Sequence, residues 1–274
     1  MEGREHDEAI SIYPLQMRAR RLLRRHCLPT HPLTVTPRKD NSEVFQQSLR
    51  VYTQMFSRTV IPLLSPAIIV LVILGDLFDF WFEYRYLIPK QHLPILFRLR
   101  DLVAAGVKVT YVCGNHDFWI GDFMDVELGF NMARDDFSID SPKGRVLVLH
   151  GDGVASSDWK YRILKRVLRN RINVALYRLL PPSLAYGLAL AVSRRSRGHT
   201  ERRPKDSFVE EYVDFAKRRF AEGYFAVVCG HIHSPEIRKV GDNYYVNSGD
   251  WLTHFSYVRF DGSQFALGNM RDGK

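Results

Sequence analysis

Four stretches of the chain are apolar at almost every position and stop abruptly at polar residues. Ile68 to Leu74 runs into Gly75-Asp76, and Val107 to Cys113 runs into Gly114-Asn115-His116-Asp117. Arg145 to Leu149 ends at His150, and Tyr224 to Cys229 ends in Gly230-His231-Ile232-His233. Short β-branched and aliphatic runs of this kind predict strands buried on both faces, as in sheets covered by helices. Between them, Leu93, Leu96, Leu99, Leu102 and Val103 recur at helical spacing within His92 to Ala105, and Gly106 supplies a C-terminal stop. Asp206 to Ala221 has the same amphipathic character. From Glu236 to Leu267 the pattern predicts antiparallel strands turning at Gly241-Asp242 and Asp261-Gly262. Alternating strands and helices followed by a β-meander predict an α/β sandwich.

Two regions depart from this rhythm. Residues 1–66 hold a basic run (Arg18, Arg20, Arg21, Arg24, Arg25) and a Pro-rich stretch from Pro29 to Pro37. Leu33 to Thr36 predicts a short strand there, and Glu43 to Phe56 a short helix. In residues 155–205, Lys160, Arg162, Lys165, Arg166, Arg169, Arg171 and Arg178 alternate with aliphatic residues, which predicts basic amphipathic helices. Hence the expected organisation is an N-terminal segment, 1–66, and a domain over 67–274 with a helical insertion at about 155–205.

The strand ends carry the candidate chemistry. Burial accounts for the apolar runs but not for Asp, Asn and His at each terminus, and the carboxyl ends of strands are where open α/β folds bind ligands. Imidazole, carboxylate and amide oxygen together suit Mn²⁺, Fe²⁺ or Zn²⁺ better than Mg²⁺ alone. His231 and His233, two positions apart, face the same side if the segment is extended.

Composition narrows the field. With 46% apolar and 25% charged residues, the chain is neither disordered nor fibrous. A net charge of +9 favours an anionic partner. Three cysteines without C-x-x-C spacing point to a reducing compartment. No apolar run follows the N-terminal basic residues as a secretory signal requires, and Ile61 to Leu74, broken by Pro62 and Pro66, is too short to span a bilayer. Cys113 and Cys229 read as core fillers, and His92 and His254 receive no role. Asp79 is either a turn former or a support for the ligands, and Trp81, Phe82 and Tyr84 either fill the core or line a sugar or acyl site.

Gly75-Asp-Leu-Phe-Asp79, Gly114-Asn-His-Asp117, His150-Gly-Asp152 and Gly230-His-Ile-His233 occur in the order found in the calcineurin-like metallophosphoesterases, and the chain resembles that family. The resemblance implies a four-layer sandwich of two mixed sheets flanked by helices, with a helical cap over the site. It implies two divalent metal ions, Mn²⁺ foremost, bridged by Asp76, with Asn115, His150 and His231 at one and His233 at the other, and hydrolysis at phosphorus. His116 is then placed to protonate the leaving oxygen, with Asp117 orienting it or capping the next helix. The run Gly75 to Tyr84, Leu149 to Gly153 and Asn247-Ser-Gly-Asp-Trp251 is similar to the branch of the family that cleaves UDP-2,3-diacylglucosamine in lipid A synthesis. That likeness implies substrate contacts from Asn115, His116, His231, Asp158, Arg194 and Ser196. It also implies a UDP-linked acylated glucosamine as substrate and a peripheral place on the cytoplasmic face of the inner membrane, with no nucleic-acid partner.

One family block is missing. A D-x-H motif belongs near Lys39 to Glu43, where Asp40 is followed at i+2 by Ser42, and His31 has no partnering Asp. A misread start, ligation from Asp40 or His31, and true loss of a metal each account for this. The alternatives to lipid-substrate hydrolysis are another phosphorylated substrate and a non-catalytic lipid-binding relative.

Overall fold

A computed structural model describes residues 9–13, 68–200 and 205–270 of the chain. In chain order its main elements are β1 (Ala9–Tyr13), β2 (Ile68–Ile73), α1 (Leu93–Ala104), β3 (Lys108–Val112), β4 (Asn131–Ala133), β5 (Asp136–Ser141) and β6 (Gly144–Leu149). There follow α2 (Trp159–Leu168), α3 (Arg171–Arg178), α4 (Pro182–Thr200), α5 (Lys205–Ala221), β7 (Tyr224–Cys229), β8 (Glu236–Val240), β9 (Asn243–Asn247), β10 (Ser256–Phe260) and β11 (Phe265–Asn269). One sheet has the order β11-β10-β1-β2-β3-β4 and the other β5-β6-β7-β9-β8. Both are mixed: β1 to β4 run parallel to their neighbours and β10 antiparallel to β1, while β6, β7 and β9 are parallel and flanked by antiparallel β5 and β8.

The two-residue period of each strand divides its side chains between two cores. Leu71 and Ile73 pack outward against Ile95, Leu96, Leu99 and Leu102 of α1. Val72 and Leu74 face inward and meet Val146, Val148, Val228 and Val246 of the other sheet. Leu147, Leu149, Val227 and Tyr245 face outward again, onto Val209, Tyr212, Val213 and Ala216 of α5. The result is helix, sheet, sheet, helix: the four layers expected. Fully burying one leucine of this kind contributes about 1.5–3 kcal/mol, so the leucines of α1 hold that helix in place.

One sequence expectation is corrected by long-range pairing, and two features went unread. The C-terminal strands form two hairpins in different sheets, β8–β9 and β10–β11, rather than one meander. The strand beside β2 is β1, in a segment with no strand expectation, while Leu33–Thr36, Glu43–Phe56, Asp40 and His31 lie outside the described residues. The edge strands β4 and β5, with half-exposed alternating side chains, gave no apolar run to read.

Residues 156–200 form the helical insertion. A short 3₁₀ turn, Ser156–Asp158, leads into α2, α3 and α4, and neither α2 nor α3 buries a single residue. Ile172 is 69% exposed and Leu179 80%. The segment Phe80 to Tyr84 joins the insertion to the body: the Phe82 and Tyr177 rings lie 4.7 Å apart, and the Tyr84 hydroxyl donates to the Leu180 carbonyl at 3.3 Å. Trp81, fully buried and stacked on Phe78, belongs to the core instead.

Candidate metal centre

The end of β2 makes a left-handed turn: Gly75 has φ +76° and Asp76 φ +52°. A Cβ on Gly75 would lie 2.5 Å from the Gly114 nitrogen, and one on Gly114 would collide with the Asp76 carboxylate. Two glycines therefore let the β2 and β3 loops cross at contact distance. The crossing lets Asp76 Oδ1 accept the His116 amide N–H at 2.8 Å. The other oxygen, Oδ2, lies 3.3 Å from His150 Nε2.

His150, at the end of β6, is buried, and its Nδ1 donates to the Leu74 carbonyl at 2.6 Å. That bond makes Nδ1 a donor and turns Nε2 toward the cluster. Nε2 lies 3.1 Å from Asn115 Oδ1 and 3.1 Å from His231 Nδ1. Four elements from two sheets thus bring a carboxylate oxygen, an amide oxygen and two imidazole nitrogens to one point. Asp76, His150 and His231 each offer a ligand atom within 4.8 Å of the others. A set of mixed N and O donors at such spacing fits a first-row divalent cation.

Electrostatics favour a positive charge beside the Asp76 carboxylate. Burial opposes ionisation of Asp76, yet His150 and His116 overcome it and hold the carboxyl well below its usual range. Burial lowers the affinity of His150 for a proton, but the Asp76 charge more than offsets this and raises its pKa to about 9. Burial, with His150 adding to it, pushes His231 down to about 3, so its ring is a neutral donor.

Of the sequence candidates, Asp76, Asn115, His150 and His231 converge, and His233, which the resemblance assigns to the other ion, is outside their cluster. The Gly230–His233 segment is not extended. His231 has φ +63° and His233 φ +55°, so the backbone there is left-handed rather than that of a strand. His233 Nδ1 instead lies 3.4 Å from Asp250 Oδ2. Asp250 is buried and also accepts the Leu252 N–H at 2.7 Å and the His254 Nδ1–H at 2.7 Å. Burial opposes its ionisation, but these partners hold its carboxyl well below the usual range. Asp250 stood in the motif Asn247 to Trp251 without an assigned role, and it is the residue that orients His233.

His116 is half-buried, and its Nδ1 lies 3.0 Å from the Asp79 carbonyl oxygen. A main-chain group therefore holds the ring. Asp117 is fully buried and accepts the Tyr111 hydroxyl and, at 2.8 Å, the Gly114 N–H. Burial, and then the nearby Asp76, raise its pKa to about 6. It shapes the loop that carries Asn115 and His116 and begins no helix.

Asp158 is buried in the 3₁₀ turn at the foot of the insertion. Arg194 and Ser196 lie on α4, with their side chains outside the described residues. Asp152, part of the His150-Gly-Asp152 block but without an assigned role, ties the site to the insertion: its Oδ2 accepts the Tyr161 hydroxyl at 2.8 Å and pairs with Lys165 Nζ at 2.9 Å. His92 is buried against the Phe78 ring, and burial lowers its pKa to about 3. Cys113 and Cys229 are buried free thiols, both raised to about 12 by burial.

Comparison with known proteins agrees with this geometry. Residues 46–235 match the calcineurin-like phosphoesterase family. A protein of Porphyromonas gingivalis named UDP-2,3-diacylglucosamine hydrolase is 30% identical over 73% of this chain and 82% of its own length. Proteins of the same name from Pseudomonas fluorescens and Haemophilus ducreyi are 31% and 29% identical, over 72% and 65% of this chain and 81% and 76% of their own lengths. The ordered strand-end residues, the four-layer fold and these relatives lead to one conclusion: the chain belongs to the calcineurin-like phosphoesterase family, hydrolases that use divalent metals.

Proposed function

We propose that the chain hydrolyses the pyrophosphate bond of UDP-2,3-diacylglucosamine, giving UMP and 2,3-diacylglucosamine 1-phosphate in lipid A synthesis. The observation that carries this reading is the convergence of Asp76, Asn115 and His231 on His150 Nε2, joined through Asp152 to a basic, apolar insertion. The three relatives bearing the corresponding name support the choice of substrate.

Asp76, Asn115, His150 and His231 would hold the divalent cation, for which Mn²⁺ suits the mixed donors. When bound, such an ion polarises a phosphoryl oxygen and acidifies water. The rest of the work falls to side chains. With Nδ1 engaged by the Asp79 carbonyl, His116 directs Nε2 outward to donate a proton to the leaving phosphate oxygen. Asp117 keeps the loop beneath it in shape, and Asp250 keeps His233 turned toward the site. Asn115, His116 and His231 line the phosphates, and Asp158, Arg194 and Ser196 contribute substrate contacts from the insertion.

The insertion also supports a peripheral place on the cytoplasmic face of the inner membrane. Trp159, Ile163, Ile172, Leu176, Leu179 and Leu184 are exposed among Lys and Arg residues, the pattern of helices that lie at a lipid surface. Among the described residues no helix is long and apolar enough to cross a membrane. The test is incubation of the full chain with UDP-2,3-diacylglucosamine and Mn²⁺ in mixed micelles. UMP release that falls when the acyl chains are removed is expected. A folded, Mn²⁺-loaded chain that releases none would overturn the reading.

A further inference from the structure

We infer that this chain holds one divalent ion tightly, at Asp76, Asn115, His150 and His231, and has no second tight site beside it. The inference rests on reading that cluster as the metal centre. It departs from the pair of ions that the family resemblance implies.

Asp76 follows β2, and two strands flank β2 in its sheet. On one side β3 leads to Asn115 and His116, which meet Asp76 as described. On the other side is β1, parallel to β2, with Tyr13 opposite Ile73. The residues that follow Tyr13 in the sequence are in register with those that carry Asp76 after Ile73. The sequence there reads Pro14-Leu15-Gln16-Met17, with no carboxylate and no imidazole. The pattern D-x-H occurs nowhere in the 274 residues.

The facing sheet contributes His233, oriented by Asp250 at 3.4 Å. His233 and Asp76 make two protein donors, and Asp76 is shared with the first ion, with one of its oxygens already accepting the His116 amide. Catalytic zinc sites, the best-surveyed case for ions of this type, use about three protein ligands besides water. Among the described residues, the one convergent set of three or more His, Cys, Asp or Glu ligands is Asp76, His150 and His231. The first site meets the requirement and the second does not.

The experiment is equilibrium dialysis of the full chain against Mn²⁺, desalting, and elemental analysis, with electron paramagnetic resonance on the same sample. One Mn²⁺ per chain with the spectrum of an isolated ion is expected. His150→Ala should lose that ion, and His233→Ala, with an unchanged circular dichroism spectrum, should keep it. Two ions per wild-type chain, an exchange-coupled pair in the spectrum, or loss of the ion in His233→Ala but not in His150→Ala would overturn the inference. The wild-type count alone decides if a variant fails to fold. UMP release by a two-ion chain would overturn this inference and leave the proposed activity standing. One ion without turnover would support the inference and sink the activity, and no ion in a folded wild-type chain would sink both.

Discussion

His150 Nδ1 lies 2.6 Å from the carbonyl oxygen of Leu74, so the last residue of the β2 apolar run fixes the ring at the end of β6. The two residues belong to different sheets, and the bond spans the interface between them. Through it, packing of the inner core determines where Nε2 points, and Nε2 is the atom on which the other donors converge.

His150→Ala should therefore abolish the stabilisation that Mn²⁺ confers. An ion bound only to the folded state at about 100 times its Kd adds about 2.7 kcal/mol, which for a chain of this size raises Tm by about 5–10 °C. Wild type should show this shift in a thermal melt with and without Mn²⁺, and the variant should show none.

His116 is held by a main-chain carbonyl, so its role separates cleanly from that of Asp79. His116→Ala should lower kcat by about 10²–10⁴-fold, the range for loss of a general acid, with Mn²⁺ retained. Asp79→Ala keeps the carbonyl and should lose far less. Steady-state kinetics of both variants, with metal content measured alongside, checks this.

Asp152 joins the site to the insertion through Tyr161, Lys165 and, at 3.6 Å, Arg169. Asp152→Ala leaves those groups without their common acceptor, at a cost of about 1–3 kcal/mol in urea denaturation. As the insertion loosens, KM for the acylated substrate should rise more than KM for a small aryl phosphodiester. Equal changes for both substrates would place the effect elsewhere.

The four buried strands of the two sheet centres and the residues ending them were legible in the sequence, because local apolar runs and polar stops encode both. The remainder depends on partners distant in the chain. Nothing in Ala9–Tyr13 announces a strand until β2 and β10 lie on either side of it. The two-residue spacing of His231 and His233 implies a shared face only in extended backbone, and the left-handed φ values of both residues show that the segment is not extended. Asp250 and Asp152 were visible as acids in motifs, but their partners are set by tertiary contacts alone.

Exposed Leu176 and Leu179 lie on and just after α3, where charge would oppose burial in lipid. Replacing both with Glu should weaken sedimentation with anionic phospholipid vesicles by about tenfold or more, since each buried leucine contributes about 1.5–3 kcal/mol. Hydrolysis of a small, water-soluble phosphodiester should be unchanged.

The most direct test of the proposed activity is release of UMP from UDP-2,3-diacylglucosamine by the folded, Mn²⁺-loaded chain. The expected result is turnover that disappears with chelator, returns with Mn²⁺ and is absent in His150→Ala. A chain that is folded and metal-loaded yet leaves the pyrophosphate intact would contradict it.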